Sequence, residues 1–284
     1  MRIDAHQHFW IYSAAQYEWI SDEMAELKRD FLPRDLKPLL AGQTFDGSFD
    51  GSVDGSIVVQ ARQDLDETRW LLGLADQNDF VKGVVGWVDL CSPDLPAQLD
   101  EFAANRKFVG VRHILQGEAD DEFMLRPDFQ RGIARLAEHG LTYDLLLYPR
   151  HLPVAVKLVR EFPEQRFVLD HIAKPAIADG LMDPWQRDIC ELGQFGNVFC
   201  KLSGMVTEAR WKEWTPQDFQ PYLDVVCEAF GKGRLMIGSD WPVCTLSGSY
   251  EETMGIVVDY VKRFMPEETD DILGGNCMRF YDVE

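Results

Sequence analysis

The chain has 284 residues, 46% of them hydrophobic. That is enough to bury the core of one large domain or two small ones, yet no apolar run approaches the roughly 18 residues a bilayer-spanning helix needs. Its 28 basic and 48 acidic residues leave a net charge of −20, so a phosphate backbone would be repelled over most of the surface; neither nucleic acid nor membrane is an expected partner.

Six cysteines (Cys91, Cys190, Cys200, Cys227, Cys244 and Cys277) form no CxxC pair and no regular spacing, which argues against a zinc finger and against a disulfide framework. Met1-Arg2 leads directly into a strand-like segment with no room for a signal peptide. A cytoplasmic protein with reduced thiols is expected.

In chain order, the first strand is expected over "IDAHQH" (3–8), where strand alternation puts His6 and His8 on one face as a candidate ligand pair. Residues 9–40, rich in Trp and Tyr and ending "FLPRDLKPLL", are long for a first strand-to-helix connection and are expected to form a lid or pocket wall. Residues 46–56, "DGSFDGSVDGS", repeat Asp-Gly-Ser with a period of four. The spacing does not match an EF-hand, and the segment reads as a polar loop.

Further strands are expected at "SIVVQA" (56–61), "VKGVVGWV" (81–88), "FVGVRHI" (108–114), "LTYDLLL" (141–147), "RFVLDHI" (166–172), "NVFCKLS" (197–203) and "RLMIGSD" (234–240). Helical spacing appears between them, in "DETRWLLGLADQND", "PDFQRGIARLAEH", "LPVAVKLVREF", "DPWQRDICELGQF" and "PQDFQPYLDVVCEAF", several with Pro at the first turn. Strands alternating with helices imply right-handed βαβ units. Eight of them suggest a closed α/β barrel of the (β/α)8 type, and with no linker or composition shift a single domain over 1–284 is expected.

The predicted C-terminal strand ends carry His6 and His8, Arg112 and His113, Tyr143 and Asp144, Asp170 and His171, Lys201 and Ser203, and Ser239 and Asp240. A closed barrel gathers such ends at one mouth, where catalytic residues of this architecture sit.

The combination of HxH on the first strand, His171 on the sixth and Asp240 on the eighth resembles the amidohydrolase superfamily, in "DAHQH", "LDHIAKP" and "GSDWPV". "VQARQ" (59–63), "GVRHILQ" (110–116), "KLSGM" (201–205) and "GGNCMRFY" (274–281) look like its branch of lactonases acting on sugar acids and dicarboxylate pyrones. The resemblance runs from residue 3 to about 281.

It implies hydrolysis of a small-molecule sugar-acid 1,4- or 1,5-lactone, such as L-fucono-, L-galactono- or L-rhamnonolactone, with oligomeric state left open. Asp240 is then the expected base, with a pKa its surroundings can raise. His6, His8 and His171 would polarise the carbonyl, as direct donors or by holding a divalent metal with Asp240. Binuclear relatives carry a bridging lysine on the fourth strand and a histidine on the fifth. Here those places read Arg112-His113 and "LTYDLLLY", so two metals are not expected. Either no metal or a single ion remains open, with zinc suiting three imidazoles and a carboxylate.

Arg112 and His113 are expected to grip substrate oxygens, Lys201 and Ser203 to add contacts, and Trp10, Trp87 and Trp241 to pack either on a sugar ring or in the core. Two further readings stay open: a mononuclear decarboxylase of an aromatic or muconate-like acid, and a non-catalytic sugar-binding barrel.

Overall fold

A computed structural model describes residues 1–42 and 52–284. Eight strands, β1 (Ile3–Gln7), β2 (Gly55–Val59), β3 (Val81–Gly86), β4 (Phe108–His113), β5 (Thr142–Leu145), β6 (Phe167–Leu169), β7 (Val198–Leu202) and β8 (Leu235–Ile237), lie in sequence order, each parallel to the next. The ring closes just beyond β1 and β8. There Asp240 N donates to His6 O (2.8 Å) and His8 N donates to Trp241 O (2.7 Å). The expected (β/α)8 barrel is therefore the observed fold.

Helices α1 (Pro33–Leu40), α2 (Leu65–Gln77), α3 (Leu95–Ala103), α4 (Pro127–Glu138), α5 (Leu152–Glu161), α6 (Trp185–Leu192), α7 (Met205–Glu208), α8 (Pro216–Phe230), α9 (Tyr250–Phe264) and α10 (Asn276–Tyr281) follow the strands. Several start with Pro in the first turn, where its missing N–H removes no helical hydrogen bond. α9 opens on a reciprocal cap: Ser249 Oγ accepts from Glu252 N (3.1 Å), and Glu252 Oε2 accepts from Ser249 N (2.7 Å). Among the described residues, no helix is long and apolar enough to cross a membrane.

Two apolar layers hold the fold. Strand residues such as Val58, Val84, Val111 and Leu145 pack outward against the helices. Ile3, Ala5, Ile57, Val59, Val85, Val109, Val168 and Met236 cluster separately with Phe280 and Tyr281, so that α10 plugs the end of the barrel opposite the strand C-termini.

β6 and β8 are shorter than their apolar runs suggest, because His171–Lys174 and Asp240 leave the extended conformation for positive φ. The Asp-Gly-Ser repeat lies outside the described residues up to Gly51. Beyond that point Val53 is buried and Gly55 opens β2.

Candidate active site

The pairing register of β1 with β2 shifts between Asp4 and Gln7. This irregularity lets Ile3 and Ala5 fill the barrel interior while His6 and His8, of the other parity, also turn inward at the mouth. The two rings face each other, Nε2 to Nε2 at 3.2 Å, and His8 Nδ1 bonds Val59 O at 2.7 Å. A carbonyl only accepts, so His8 carries its proton on Nδ1 and turns the Nε2 lone pair into the site.

Asp240 Oδ1 stands 3.3 Å from His8 Nε2 and 3.8 Å from both His6 Nε2 and His171 Nε2. Asp240 adopts φ 56°, an uncommon conformation for a non-glycine residue. Asp4 secures the turn: Ser239 donates to it through N (2.9 Å) and Oγ (2.6 Å), and Ser239 Oγ accepts from Trp241 N (2.9 Å).

His171, at φ 54°, begins a run of four left-handed residues ending at Lys174. Its ring lies against Gly204, where a Cβ would stand 2.5 Å from His171 Nδ1, and Gly204 itself has φ +64°. Ser203 Oγ, 2.9 Å from Nδ1, orients the ring.

Below these groups lies a buried charge layer. Lys201 Nζ donates to Asp144 Oδ2 (2.5 Å), stands 3.0 Å from Asp170 Oδ1 and is 3.2 Å from His6 Nδ1. Arg112 Nη1 donates to Asp170 Oδ2 (3.0 Å) and approaches His6 Nε2 (3.3 Å), while Nε and Nη2 donate to Gln60 Oε1. Tyr281 OH donates to Asp144 Oδ2 from the plugged end (2.8 Å).

Burial pushes Asp144 up to about 6 in spite of Lys201. Burial also opposes ionisation of Asp170, but Lys201, His6 and Arg112 together hold it well below the carboxylate range. His6 is depressed by burial, and His171 is pushed down to about 4 by the same cause. Burial likewise opposes the charge on Asp240, yet the imidazoles of His171, His8 and His6 outweigh it and hold the carboxyl below its usual value. The shift runs opposite to the rise expected from a barrel-mouth environment, because cationic imidazoles beside one carboxylate oxygen favour its charged form.

A cavity of about 340 Å³ opens above this knot. Its lining includes His8, Arg112, His171 and Asp240, together with Trp19 and Met24 from the long first connection and Gln116, Tyr148, Lys174, Glu208 and Trp211 from later ones.

The barrel thus gathers His6, His8, His171, Asp240 and Arg112. Other expected contacts lie elsewhere. Strand alternation turns His113 away from Arg112, onto Glu118 Oε1 (2.7 Å) and against the Phe123 ring. Lys201 is 0% exposed, beneath the floor, and Ser203 stands behind His171. Trp10 is buried and donates Nε1 to Arg29 O (2.9 Å); Trp87 Nε1 points at His113 Nδ1 (3.4 Å); Trp241 packs on Phe9 and Phe31. The aromatic walls are instead Trp19, Tyr148 and Trp211. All three sit on irregular connections, where periodicity carries no signal of direction.

The donor set fits one divalent ion. Ligands of a tetrahedral zinc at about 2.0–2.1 Å stand about 3.3 Å apart. His6 Nε2, His8 Nε2 and Asp240 Oδ1 stand 3.2, 3.3 and 3.8 Å from one another. Asp170 and Asp144, where a second ion would need ligands, are already paired with Arg112 and Lys201.

Comparison with known proteins agrees with this architecture. The family model described as Amidohydrolase matches residues 3–283. An L-fucono-1,5-lactonase of Burkholderia ambifaria is 39% identical over 291 residues, covering 100% of this chain and 96% of the relative. One from Burkholderia multivorans is 40% identical, covering 99% and 96%. A crystal structure of an amidohydrolase from Burkholderia multivorans with bound zinc superposes with a TM-score of 0.93 at 40% identity, covering 100% of each chain. With the HxH pair, the β6 histidine and the β8 aspartate brought to one barrel mouth, and with matches of this extent, the chain belongs to the amidohydrolase family.

Proposed function

We propose that this protein is a lactonase that opens a sugar-acid lactone to its aldonate, with L-fucono-1,5-lactone the first substrate to test. The observation that carries the reading is the Asp240 carboxyl on the floor of a cavity, among His8, His171 and the Arg112 guanidinium. The full-length similarity to L-fucono-1,5-lactonases supports it.

Asp240 takes a proton from water as the water oxygen attacks the lactone carbonyl carbon. The ring C–O bond then breaks, and the proton held on Asp240 passes to the departing ring oxygen. Arg112, locked by Gln60 and Asp170, places positive charge where the carbonyl oxygen becomes anionic.

Ser203 serves either tautomer of His171. As a donor to Nδ1 it leaves Nε2–H for the carbonyl oxygen, and as an acceptor it leaves the Nε2 lone pair for an ion. His6, His8 and Asp240 would hold that ion, zinc by preference, and its chemistry there is Lewis acidity toward the carbonyl. We read the chain as one domain whose first connection walls the site, acting in the cytoplasm on a small molecule.

A panel of aldono-1,4- and 1,5-lactones, followed by acid release, tests the function. Saturable turnover of at least one member is expected. A background rate throughout, or carbon dioxide release from aromatic acids in place of lactone opening, would overturn it.

A further inference from the structure

Asp240, the histidines and Arg112 account for ring opening but not for recognition of the rest of a sugar. Above them the cavity wall carries polar groups that the chemistry leaves unused. Glu208, at the end of α7, lines the cavity and makes no hydrogen bond or ion pair among the described residues; the charges it senses are those of Lys174 and Asp240. Lys174, the last of the left-handed run after His171, also lines the cavity. Its ammonium lies 5.8 Å from the Tyr148 ring centroid, with no carboxylate pairing it among the described residues. Gln116, on the connection after β4, has a buried Oε1 with no hydrogen-bond partner. A buried acceptor without a partner is unfavourable, so such an atom beside a cavity points to a ligand that satisfies it.

The position of Glu208 follows from the backbone. Gly204, at φ +64°, turns the chain out of β7 into the short α7, with Thr207 Oγ1 donating to Gly204 O (2.9 Å). Trp211 Nε1 donates to Thr207 O (2.9 Å), setting the indole beside Glu208 on the same wall. The turn that seats the His171 ring therefore also presents Glu208 and Trp211 to the cavity.

From these placements we infer that Glu208, with Lys174 and Gln116, reads the hydroxyl groups of the lactone ring, making the protein selective for polyhydroxylated lactones over unsubstituted ones. Each sugar hydroxyl both donates and accepts. A carboxylate with two open acceptors suits adjacent hydroxyl hydrogens, an ammonium suits hydroxyl oxygens, and Trp19, Tyr148 and Trp211 offer faces to the C–H side of the ring. Sites built to bond hydroxyls reject analogues lacking them, because their own polar groups are then left buried and unpaired. The inference rests on the lactonase reading and adds to it the residues that choose the substrate.

The test compares kcat/KM for L-fucono-1,5-lactone and for δ-valerolactone, the unsubstituted six-membered lactone, in wild type, Glu208→Gln and Glu208→Ala. The expected wild-type ratio favours the sugar lactone by about 10² or more. Both variants should lower that ratio at least tenfold, chiefly through a higher KM for the sugar. A ratio unchanged in both variants, with the two substrates losing activity in parallel or not at all, would overturn the assignment. A wild type that opens neither lactone would instead refute the lactonase reading, so the two failures are distinguishable.

Discussion

The Nε2 atoms of His6 and His8 face each other 3.2 Å apart, with Asp240 Oδ1 3.3 Å from the second of them. Because His8 spends its proton on Val59 O, at least two lone-pair atoms converge with nothing of the protein's own between them. Such an arrangement is stabilised by a cation. Calorimetric titration of metal-free protein with zinc should show one equivalent bound, and His8→Ala should lose measurable binding. Absence of binding by the wild type would refute the site.

Asp240→Asn keeps the shape of the side chain and removes the proposed base. Steady-state kinetics on the best lactone should show kcat lower by about 10² to 10⁴. A variant within a few-fold of wild type would remove Asp240 from the mechanism.

Gly204→Ala puts a methyl group 2.5 Å from His171 Nδ1 at a backbone position with φ +64°. The left-handed conformation alone costs roughly 1–2 kcal/mol, and the ring must also move. Activity should fall at least tenfold while the thermal midpoint drops by several degrees; unchanged kinetics would show that His171 has room the structure does not reveal.

Lys201→Met removes the cation shared by Asp144 and Asp170, leaving buried carboxylates with too few partners. Urea unfolding should register a loss of about 3–5 kcal/mol, the scale of breaking a buried ion pair from one side. A loss below about 1 kcal/mol would mean that the layer relaxes or takes up a proton at little cost.

Glu67 ties the first connection to the barrel. It accepts from Ala61 N (3.0 Å), Arg62 N (2.8 Å) and Tyr17 OH (3.4 Å), and burial pushes its carboxyl up to about 7 from an ordinary 4.5. The folded state therefore holds this proton more tightly than the unfolded one. Relative to a non-titrating variant, stability is highest below about 4.5 and declines as pH rises through 7, by up to about 3 kcal/mol. The melting temperature of wild type minus that of Glu67→Gln should accordingly fall between pH 5 and 8. A difference constant over that range would contradict the shift.

Much of the fold was legible in the sequence because burial on both faces of a parallel strand leaves a short apolar run. The eight runs recur at the spacing a βαβ unit imposes. The same regularity placed His6, His8, Arg112, His171 and Asp240 at strand ends, and a closed ring brings strand ends together whatever the loops do. Tertiary structure decided what lies off that lattice. The register shift in β1 turns His6 and His8 inward together with Ile3 and Ala5, a change of parity that alternation alone does not contain. Positive φ at His171–Lys174 and at Asp240 ends β6 and β8 early and aims the His171 and Asp240 side chains at the mouth. Lys201 looked like a substrate contact from its place near a strand end, but its ammonium is drawn below the floor by Asp144 and Asp170, carboxylates from two other strand ends. The walls, Trp19, Gln116, Tyr148, Lys174, Glu208 and Trp211, come from irregular connections. There the direction of a side chain depends on local turns and on contacts with distant segments, so no periodic pattern in the sequence records it.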